Sequence, residues 1–258
     1  VLSTSEATGR LQLTPSVIEF KAAELFIPID TLDLAIKNNK ATINSLQLRL
    51  KSDDYINVSG NIDNFSGLVS KNSEDQIHSS RFLIYSPNLD TDDIDEILLD
   101  ARMGKPKPSN EAKKDLALLK NSLLDLKKSF HPELEVKIDT FSYQKFKITH
   151  LKSNLFFDQK DNIHLKNTGF RYRKGRLDLD MLLALSEIDK TSFQTLMTTE
   201  QFDIGQAAED FDYFNIESLR EAEKFEAIFN YDMAIKGQFD AKDSLKVKSL
   251  NGHIDFQI

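Results

Sequence analysis

Residues 133–183 read ELEVKIDTFSYQKFKITHLKSNLFFDQKDNIHLKNTGFRYRKGRLDLDMLL, and apolar and polar residues alternate through this stretch. Successive side chains of a β-strand point to opposite faces, so the alternation predicts strands with one apolar and one wet face. Turn-like residues interrupt the pattern at Gln144-Lys145, at Asp158 to Asn162 and at Lys174-Gly175. Strands joined by such short turns indicate an antiparallel meander.

The chain as a whole divides into three predicted segments. Residues 1–102 form a first β-repeat that ends in a short helix at about 91–103, where clustered Asp and Glu suit a helix start. Residues 103–131 combine a Pro-containing linker with an amphipathic helix over about 109–129. Residues 132–258 form a second β-repeat, with helices near 192–224 and C-terminal strands near 244–250 and 253–258. We expect those last strands to continue beyond this piece. The fold class is therefore mainly β with a few α-helices (α+β).

An internal repeat supports the two β-segments. Ile43 and Leu46, Ile148 and Leu151, and Val247 and Leu250 each place a β-branched residue three positions before a leucine. A strand running into an acidic helix start also occurs twice, at SPNLD (86–90) and EQFDIG (200–205). Repeated units that cannot each close a core tend to stack into an extended body.

Composition limits the function classes. The 258 residues carry a net charge of −8, which argues against nucleic acid as a partner. The absence of cysteine excludes disulfides, thiolate metal sites and a cysteine nucleophile. The chain begins without Met and ends inside an alternating run, so we expect it to be a piece of a longer protein.

No catalytic or metal-binding pattern stands out. The five histidines are scattered without metal-motif spacing, and no nucleophile elbow, phosphate-cradling glycine loop or dinucleotide fingerprint is present. The stretch from Asp90 to Asp95 resembles a calcium loop but lacks its Gly and final Glu, and helix capping explains it better. We therefore predict a protein that is not an enzyme and has no cofactor or metal.

The order of these features resembles the AsmA-like family of Gram-negative envelope proteins, related to TamB and to bridge-like lipid-transfer proteins. The resemblance is carried by residues 141–185, by TEQFDIGQAAEDF (199–211) and by SPNLDTDDIDEIL (86–98). It departs from the family at Arg173-Lys174-Gly175, where small residues are common, and in the 103–131 insert. The resemblance implies an elongated antiparallel sheet curled into an open apolar groove, with helices packed at its edges or ends.

The resemblance also implies a function and a place. The segment would lie at the periplasmic face of the inner membrane, anchored by a helix outside this piece, and carry phospholipid towards the outer membrane in its biogenesis. An outer-membrane protein is a candidate partner. The predicted groove-lining residues are Leu46, Leu48, Leu50, Leu155, Phe157, Leu177, Leu179 and Met181. The candidate headgroup contacts are Arg171, Arg173 and Arg176.

Three alternatives remain open at this level. The apolar residues also suit an ordinary α+β core packed against the helices at 91–103 and 109–129. The same sheet also suits a structural or protein-interaction scaffold of the envelope, whose edges pair with a partner strand. The third alternative is a hydrolase of envelope glycans or lipids. The arginines themselves also suit a solvated turn.

Overall fold

The computed structural model describes residues 8–20, 25–50, 54–65, 79–91, 132–143, 145–160, 162–187, 190–210, 228–239 and 246–257. Strands β1 to β7 are Gly9–Leu13, Ser16–Phe20, Leu25–Ile29, Thr31–Lys37, Lys40–Arg49, Tyr55–Asp63 and Ser80–Asp90. Strands β8 to β14 are Pro132–Tyr143, Phe146–Phe157, Ile163–Tyr172, Gly175–Glu187, Lys190–Asp203, Ile228–Gln238 and Asn251–Gln257. Helix α1 is Ile204–Asp210, and Val247–Ser249 form a 3-10 turn.

The strands form a long antiparallel sheet that is mostly a meander, which confirms the predicted β-rich class and connectivity. Twelve described strands follow the order β1-β4-β5-β6-β7-β8-β9-β10-β11-β12-β13-β14, and β2 pairs with β3 as a separate hairpin. The departure from a pure meander is at the start, where β1 pairs with β4 across that hairpin.

Short turns set the register of the hairpins, as the sequence predicts. Asn38 and Asn39 join β4 to β5 with φ of 50° and 58°, which asparagine tolerates and which suits the right-handed strand twist. The turns near Lys145, over 158–162 and at Arg173-Lys174 fall where turn residues interrupt the alternation. These boundaries are therefore confirmed for the central strands.

The repeated pair of apolar residues three positions apart marks β-bulges. A regular strand would send residues i and i+3 to opposite faces, and one extra residue returns them to the same face. The register of β5 against β6 shifts between Ile43 and Leu46. In β9 the shift accompanies His150, the residue before Leu151, whose φ is 55°. The third copy, at Val247, lies instead in the 3-10 turn.

The chain divides into two compact units. Unit 1 comprises Val1–Pro87 with Asp93–Glu135, and unit 2 comprises Asn88–Asp92 with Val136–Ile258. Within unit 1, cross-strand partners put one apolar set on a single face of β4, β5 and β6. Its members are Leu32, Leu34, Ile36, Ala41, Ile43, Leu46, Leu48, Ile56, Val58 and Ile62. The opposite face carries hydroxyl–amide pairs such as Thr42 with Asn61 and Ser45 with Asn57.

Unit 2 separates its two faces in the same way across β9 to β14. We call one surface the apolar face, because the registers place mostly aliphatic and aromatic side chains on it. It includes Ile148, Leu155, Phe157, Ile163, Leu165, Phe170, Tyr172, Leu177, Leu179, Met181, Leu183, Phe193, Met197, Tyr231, Met233, Ile235 and Ile254. We call the opposite surface the polar face.

Helix α1 covers one end of the apolar face of unit 2. Ala207 of the helix belongs to a buried cluster whose other members come from the sheet: Phe146, Ile148, Tyr172, Leu177 and Phe202. The helix begins after Asp203, whose carboxylate accepts a hydrogen bond from the backbone N–H of Gln206 at 2.9 Å. This N-cap satisfies a helix N–H that has no partner within the helix. Asp203 is therefore the N-cap residue of α1, while the first turn of the helix carries no acidic residue.

Two predicted boundaries are wrong. Residues 192–203, expected to be helical, belong to strand β12, and the described part of the predicted helical segment is helical over Ile204–Asp210. The reason is that Thr191, Phe193, Thr195, Met197 and Thr199 alternate with period two, and threonine suits a strand although it counts as polar. The strand expected at 244–250 is a 3-10 turn over Val247–Ser249.

The helices expected at 91–103 and 109–129 and the linker between them lie outside the described residues, apart from Thr91. The same holds for the helical segment expected after Asp210, over 211–224. The three-part division of the chain therefore stays a prediction. The groove and the packing of those helices also stay predictions.

Candidate functional site

The predicted lining residues of unit 2 share one face of the sheet. Leu155 lies opposite Leu165, which in turn lies opposite Met181. Phe157 lies opposite Ile163. Leu177 and Leu179 lie on the same face of β11, opposite Thr199 and Met197. The five predicted residues of unit 2 therefore share one face of the sheet, and their role as a lipid-contacting lining stays a prediction.

Burial changes along this face. Leu177 is 8% exposed beneath α1 and offers little surface, whereas Leu179, Met181, Leu155 and Phe157 are half-buried. On β14, Ile254 is 45% exposed. The face is thus sealed at the helix end and keeps accessible apolar surface along the rest of the strands.

The three predicted residues of unit 1 differ among themselves. Leu46 lies opposite Leu32 and Val58 on the apolar side of the unit, and Leu48 lies opposite Ile56. Both are half-buried. Leu50 lies past the end of β5, and its side chain is 2% exposed. Its backbone N–H donates to the carbonyl of Asp54. Leu50 therefore packs inside the unit and leaves no surface for a ligand, which corrects its assignment.

A polar clamp holds α1 on the sheet. The hydroxyl of Tyr172 donates to the carboxylate of Asp210, which also accepts from the side-chain amide of Gln206. Arg173 contacts the same carboxylate at 3.4 Å. Burial, together with the neighbouring carboxylate, raises the pKa of Tyr172 well above its ordinary value. The phenol therefore stays protonated and remains a donor at neutral pH.

The three predicted headgroup arginines do not form one cluster. Arg171 and Arg176 are cross-strand neighbours on the polar face, opposite to the apolar lining. Arg173 lies in the turn between them with φ of 54°, and its partner Asp210 belongs to the helix that covers the apolar face. The turn Arg173-Lys174 joins β10 to β11. Arg173 therefore differs in orientation from Arg171 and Arg176, although all three are close in sequence.

The polar face of unit 2 carries a depression of about 710 Å³ that sequence reasoning missed. Its floor is Gly169, in the middle of β10, between Lys152 of β9 and Asp178 of β11. His150, Arg171 and further residues of β10, β11 and β12 complete its wall: Arg176, Asp180, Leu196 and Thr198. An adjoining depression of about 590 Å³ shares Arg171 and Arg176. A glycine within alternating residues was the available signal.

Asp158 and His164 form a titratable pair at the turn between β9 and β10. Asp158 accepts hydrogen bonds from the backbone N–H groups of Lys160 and Asn162, and lies 2.9 Å from Nε2 of His164. The His164 ring stacks on Phe156 with ring centroids 4.7 Å apart. The hydrogen bond from His164 and those from Asn162 hold the pKa of Asp158 well below its ordinary value. These contacts account for the pair structurally, as the closure of the β9–β10 turn.

Within the described residues, no group of three or more His, Cys, Asp or Glu side chains is placed to hold a metal ion. No helix in the same part of the chain is long and apolar enough to cross a membrane. Comparison of the chain with known protein-family models and with curated proteins found no match in either case.

Proposed function

We propose that this chain is a non-enzymatic, lipid-carrying segment of a membrane-anchored envelope protein, in which phospholipid acyl chains contact the apolar face of unit 2. The observation that carries the proposal is the placement of Leu155, Phe157, Leu179 and Met181 on one face while they remain half-buried. In a closed core such residues would lose nearly all of their exposed surface.

The energetics favour a surface of this kind as a carrier. Keeping apolar surface from water is worth roughly 0.8 kcal/mol per methylene. An acyl chain of about 16 carbons would therefore cost on the order of 12 kcal/mol if it were exposed in transit. A carrier needs a continuous apolar surface and no bond-making chemistry. The resemblance to AsmA-like proteins supports the periplasmic setting, inner-membrane anchoring and outer-membrane role as parts of the proposal.

Of the three candidate arginines, we propose only Arg173 as a contact for the lipid headgroup. Its partner Asp210 belongs to the helix on the apolar face, so Arg173 lies beside the sealed end of the apolar surface. Arg171 and Arg176 lie on the polar face and cannot contact a headgroup whose tails lie on the other side of the sheet there.

The test is native mass spectrometry with lipid extraction on three forms of the purified protein. Leu179→Asp puts a charge on the apolar face, and Leu182→Asp makes the same change on β11 at a half-buried polar-face position outside the depression. We expect phospholipid to co-purify with the wild type and with Leu182→Asp, and to be lost from Leu179→Asp. Equal lipid content in the two variants, or a lipid-free wild type, would contradict the proposal.

A structural or interaction role is the second candidate, and strand β14 favours it. This strand is last in the sheet order, and its outer edge has no hydrogen-bonded neighbour among the described residues. Such an edge can pair with a strand from another protein. If this is the function, His253→Pro, which removes a backbone donor from β14, will abolish partner binding while Leu179→Asp leaves it intact.

A further inference from the structure

A glycine, Gly169, lies at the floor of the depression on the polar face. Gly169 lies in a row with Lys152 and Asp178, whose side chains stand on either side of it. A Cβ added at Gly169 would lie 2.7 Å from the Oδ1 atom of Asp178, so the Asp178 carboxylate leans over the place where a side chain would be. The hollow therefore has a backbone floor at Gly169, which the Asp178 carboxylate partly overlies.

The acidic groups around the hollow are already compensated. Asp178 forms an ion pair of 2.6 Å with Nε of Arg176 and accepts a hydrogen bond of 2.9 Å from its Nη2. Asp180 pairs with Lys166 at 2.8 Å and also accepts from the backbone N–H of Asn167. Each carboxylate that lines the depression therefore has a cationic partner.

Two cations of the wall have no such partner. Lys152 and Arg171 line the depression from β9 and β10, and neither forms an ion pair within the described part of the chain. Arg171 lies directly opposite Arg176, but the ion pair with Asp178 compensates Arg176 and not Arg171. This local excess of positive charge occurs in a chain of net charge −8.

We propose that the polar-face depression binds a phosphate group. Arg171 and Lys152 supply charge-assisted donors, as arginine and lysine commonly do for phosphate. Thr198 adds a hydroxyl to the wall, and His150 adds an imidazole. Arg176 contributes less, since Asp178 occupies its guanidinium.

The phosphate has two possible sources, a soluble phosphate compound or a lipid headgroup at a membrane surface. The proposal does not rest on the lipid-carrying function, because the apolar lining lies on the opposite face of the sheet. The two proposals therefore fail independently. Leu179→Asp tests the apolar face, and changes at Arg171 and Lys152 test the depression.

The experiment is titration of the full chain at low ionic strength with inorganic phosphate and pyrophosphate, followed by ³¹P NMR and calorimetry. In parallel, the protein is sedimented with phosphatidylcholine vesicles, with and without phosphatidylglycerol. Arg171→Gln and Lys152→Gln should each weaken binding about fivefold. Lys147→Gln is the matched control, because this lysine is an exposed residue of β9 outside the depression.

Asp178→Asn should change phosphate affinity in the opposite direction, towards tighter binding. It removes a negative charge and releases Arg176, so it should strengthen phosphate binding about threefold or more. A loss of folding would weaken binding, so a gain cannot arise from misfolding. Circular dichroism confirms the fold of each variant.

Binding of inorganic phosphate or pyrophosphate with this variant pattern supports a soluble source. Binding that requires phosphatidylglycerol vesicles, with the same pattern, supports a headgroup source. The proposal is overturned if no phosphate probe binds the wild type, if Arg171→Gln and Lys152→Gln bind as well as Lys147→Gln, or if Asp178→Asn binds more weakly.

Discussion

The hydroxyl of Tyr172 donates a hydrogen bond of 2.5 Å to the carboxylate of Asp210, and this bond joins β10 to the helix that covers one end of the apolar face. The Tyr172 ring is 2% exposed and stacks on Phe146 with centroids 4.9 Å apart. The phenol therefore completes the sheet core with its ring and positions α1 with its hydroxyl. The hydrogen bond between Tyr172 and Asp210 thus helps to hold α1 over this end of the apolar face.

Removing that hydroxyl should loosen the helix without disturbing the core. Tyr172→Phe keeps the ring but removes the shortest hydrogen bond to Asp210, whose carboxylate keeps its contacts with Gln206 and Arg173. We therefore expect a loss of about 1 kcal/mol in the free energy of unfolding. Chemical denaturation measures it. Tyr55→Phe is the control, because its ring contact with Tyr85 survives the change. A loss in Tyr172→Phe no larger than in the control would show that the bond does not hold α1.

Alkaline pH should destabilise the fold through the same residue. Burial, the largest cause, raises the pKa of Tyr172, and burial also raises the pKa of Tyr231. The unfolded chain therefore releases these protons at lower pH than the folded chain. Their contribution is complete below the ordinary tyrosine pKa of about 10 and declines as pH rises above it. Thermal melts across this range should show a steeper decline for the wild type than for Tyr172→Phe, and identical slopes would contradict the assignment.

Acid should destabilise the β9–β10 turn. The hydrogen bond from His164, followed by those from Asn162 and Lys160, keeps the pKa of Asp158 low in the folded chain. The stabilisation is present above the ordinary aspartate pKa of about 4 and is lost as pH falls through the lower folded-state value. Asp158→Asn should reduce stability at neutral pH and flatten this acid dependence. Asp232→Asn, an exposed change on β13, should keep the wild-type acid profile, and matching profiles for both variants would refute the role of Asp158.

Backbone strain at the β9 bulge should be relieved by a glycine at position 150. His150 has a φ of 55°, a left-handed conformation that costs an ordinary L-residue roughly 1–2 kcal/mol and costs glycine little. His150→Gly should therefore leave stability unchanged or raise it by up to about 1 kcal/mol. Thr149→Gly, one residue earlier in the same strand, should lower stability by about that amount, because glycine weakens regular strands. Equal losses for the two variants in urea denaturation would contradict the bulge.

The sequence predicted most strands of unit 2 and the face on which their side chains lie, because the alternation of apolar and polar residues depends only on neighbouring positions in the chain. The parity of Leu155, Phe157, Leu177, Leu179 and Met181 assigns each side chain to a face without any knowledge of its neighbours. Strand β12 was missed because its apolar face alternates threonine with Phe193 and Met197, which weakens the hydrophobic signal.

The polar-face depression could not be predicted in the same way. It depends on which residues of β9 and β11 lie beside Gly169, and that register includes shifts around the bulged residues His150 and Asn167. Each bulge reverses the parity beyond it, so the grouping of Lys152 with Arg171 follows from long-range pairing. Arg171, Arg173 and Arg176 are close in sequence and were predicted together as headgroup contacts, but Arg173 lies in the turn beside Asp210, away from the other two.

The measurement that tests the central claim most directly is photo-crosslinking with a phospholipid that carries a diazirine in its acyl chain, followed by peptide mapping of β11. If acyl chains contact the apolar face, labelling should occur at Leu179, Met181 and Leu183 and should spare Asp178, Asp180 and Leu182 between them. The period-two pattern should disappear in Leu179→Asp and persist in Leu182→Asp. Labelling of both parities alike, or none above a lipid-free control, would contradict a lipid-carrying apolar face.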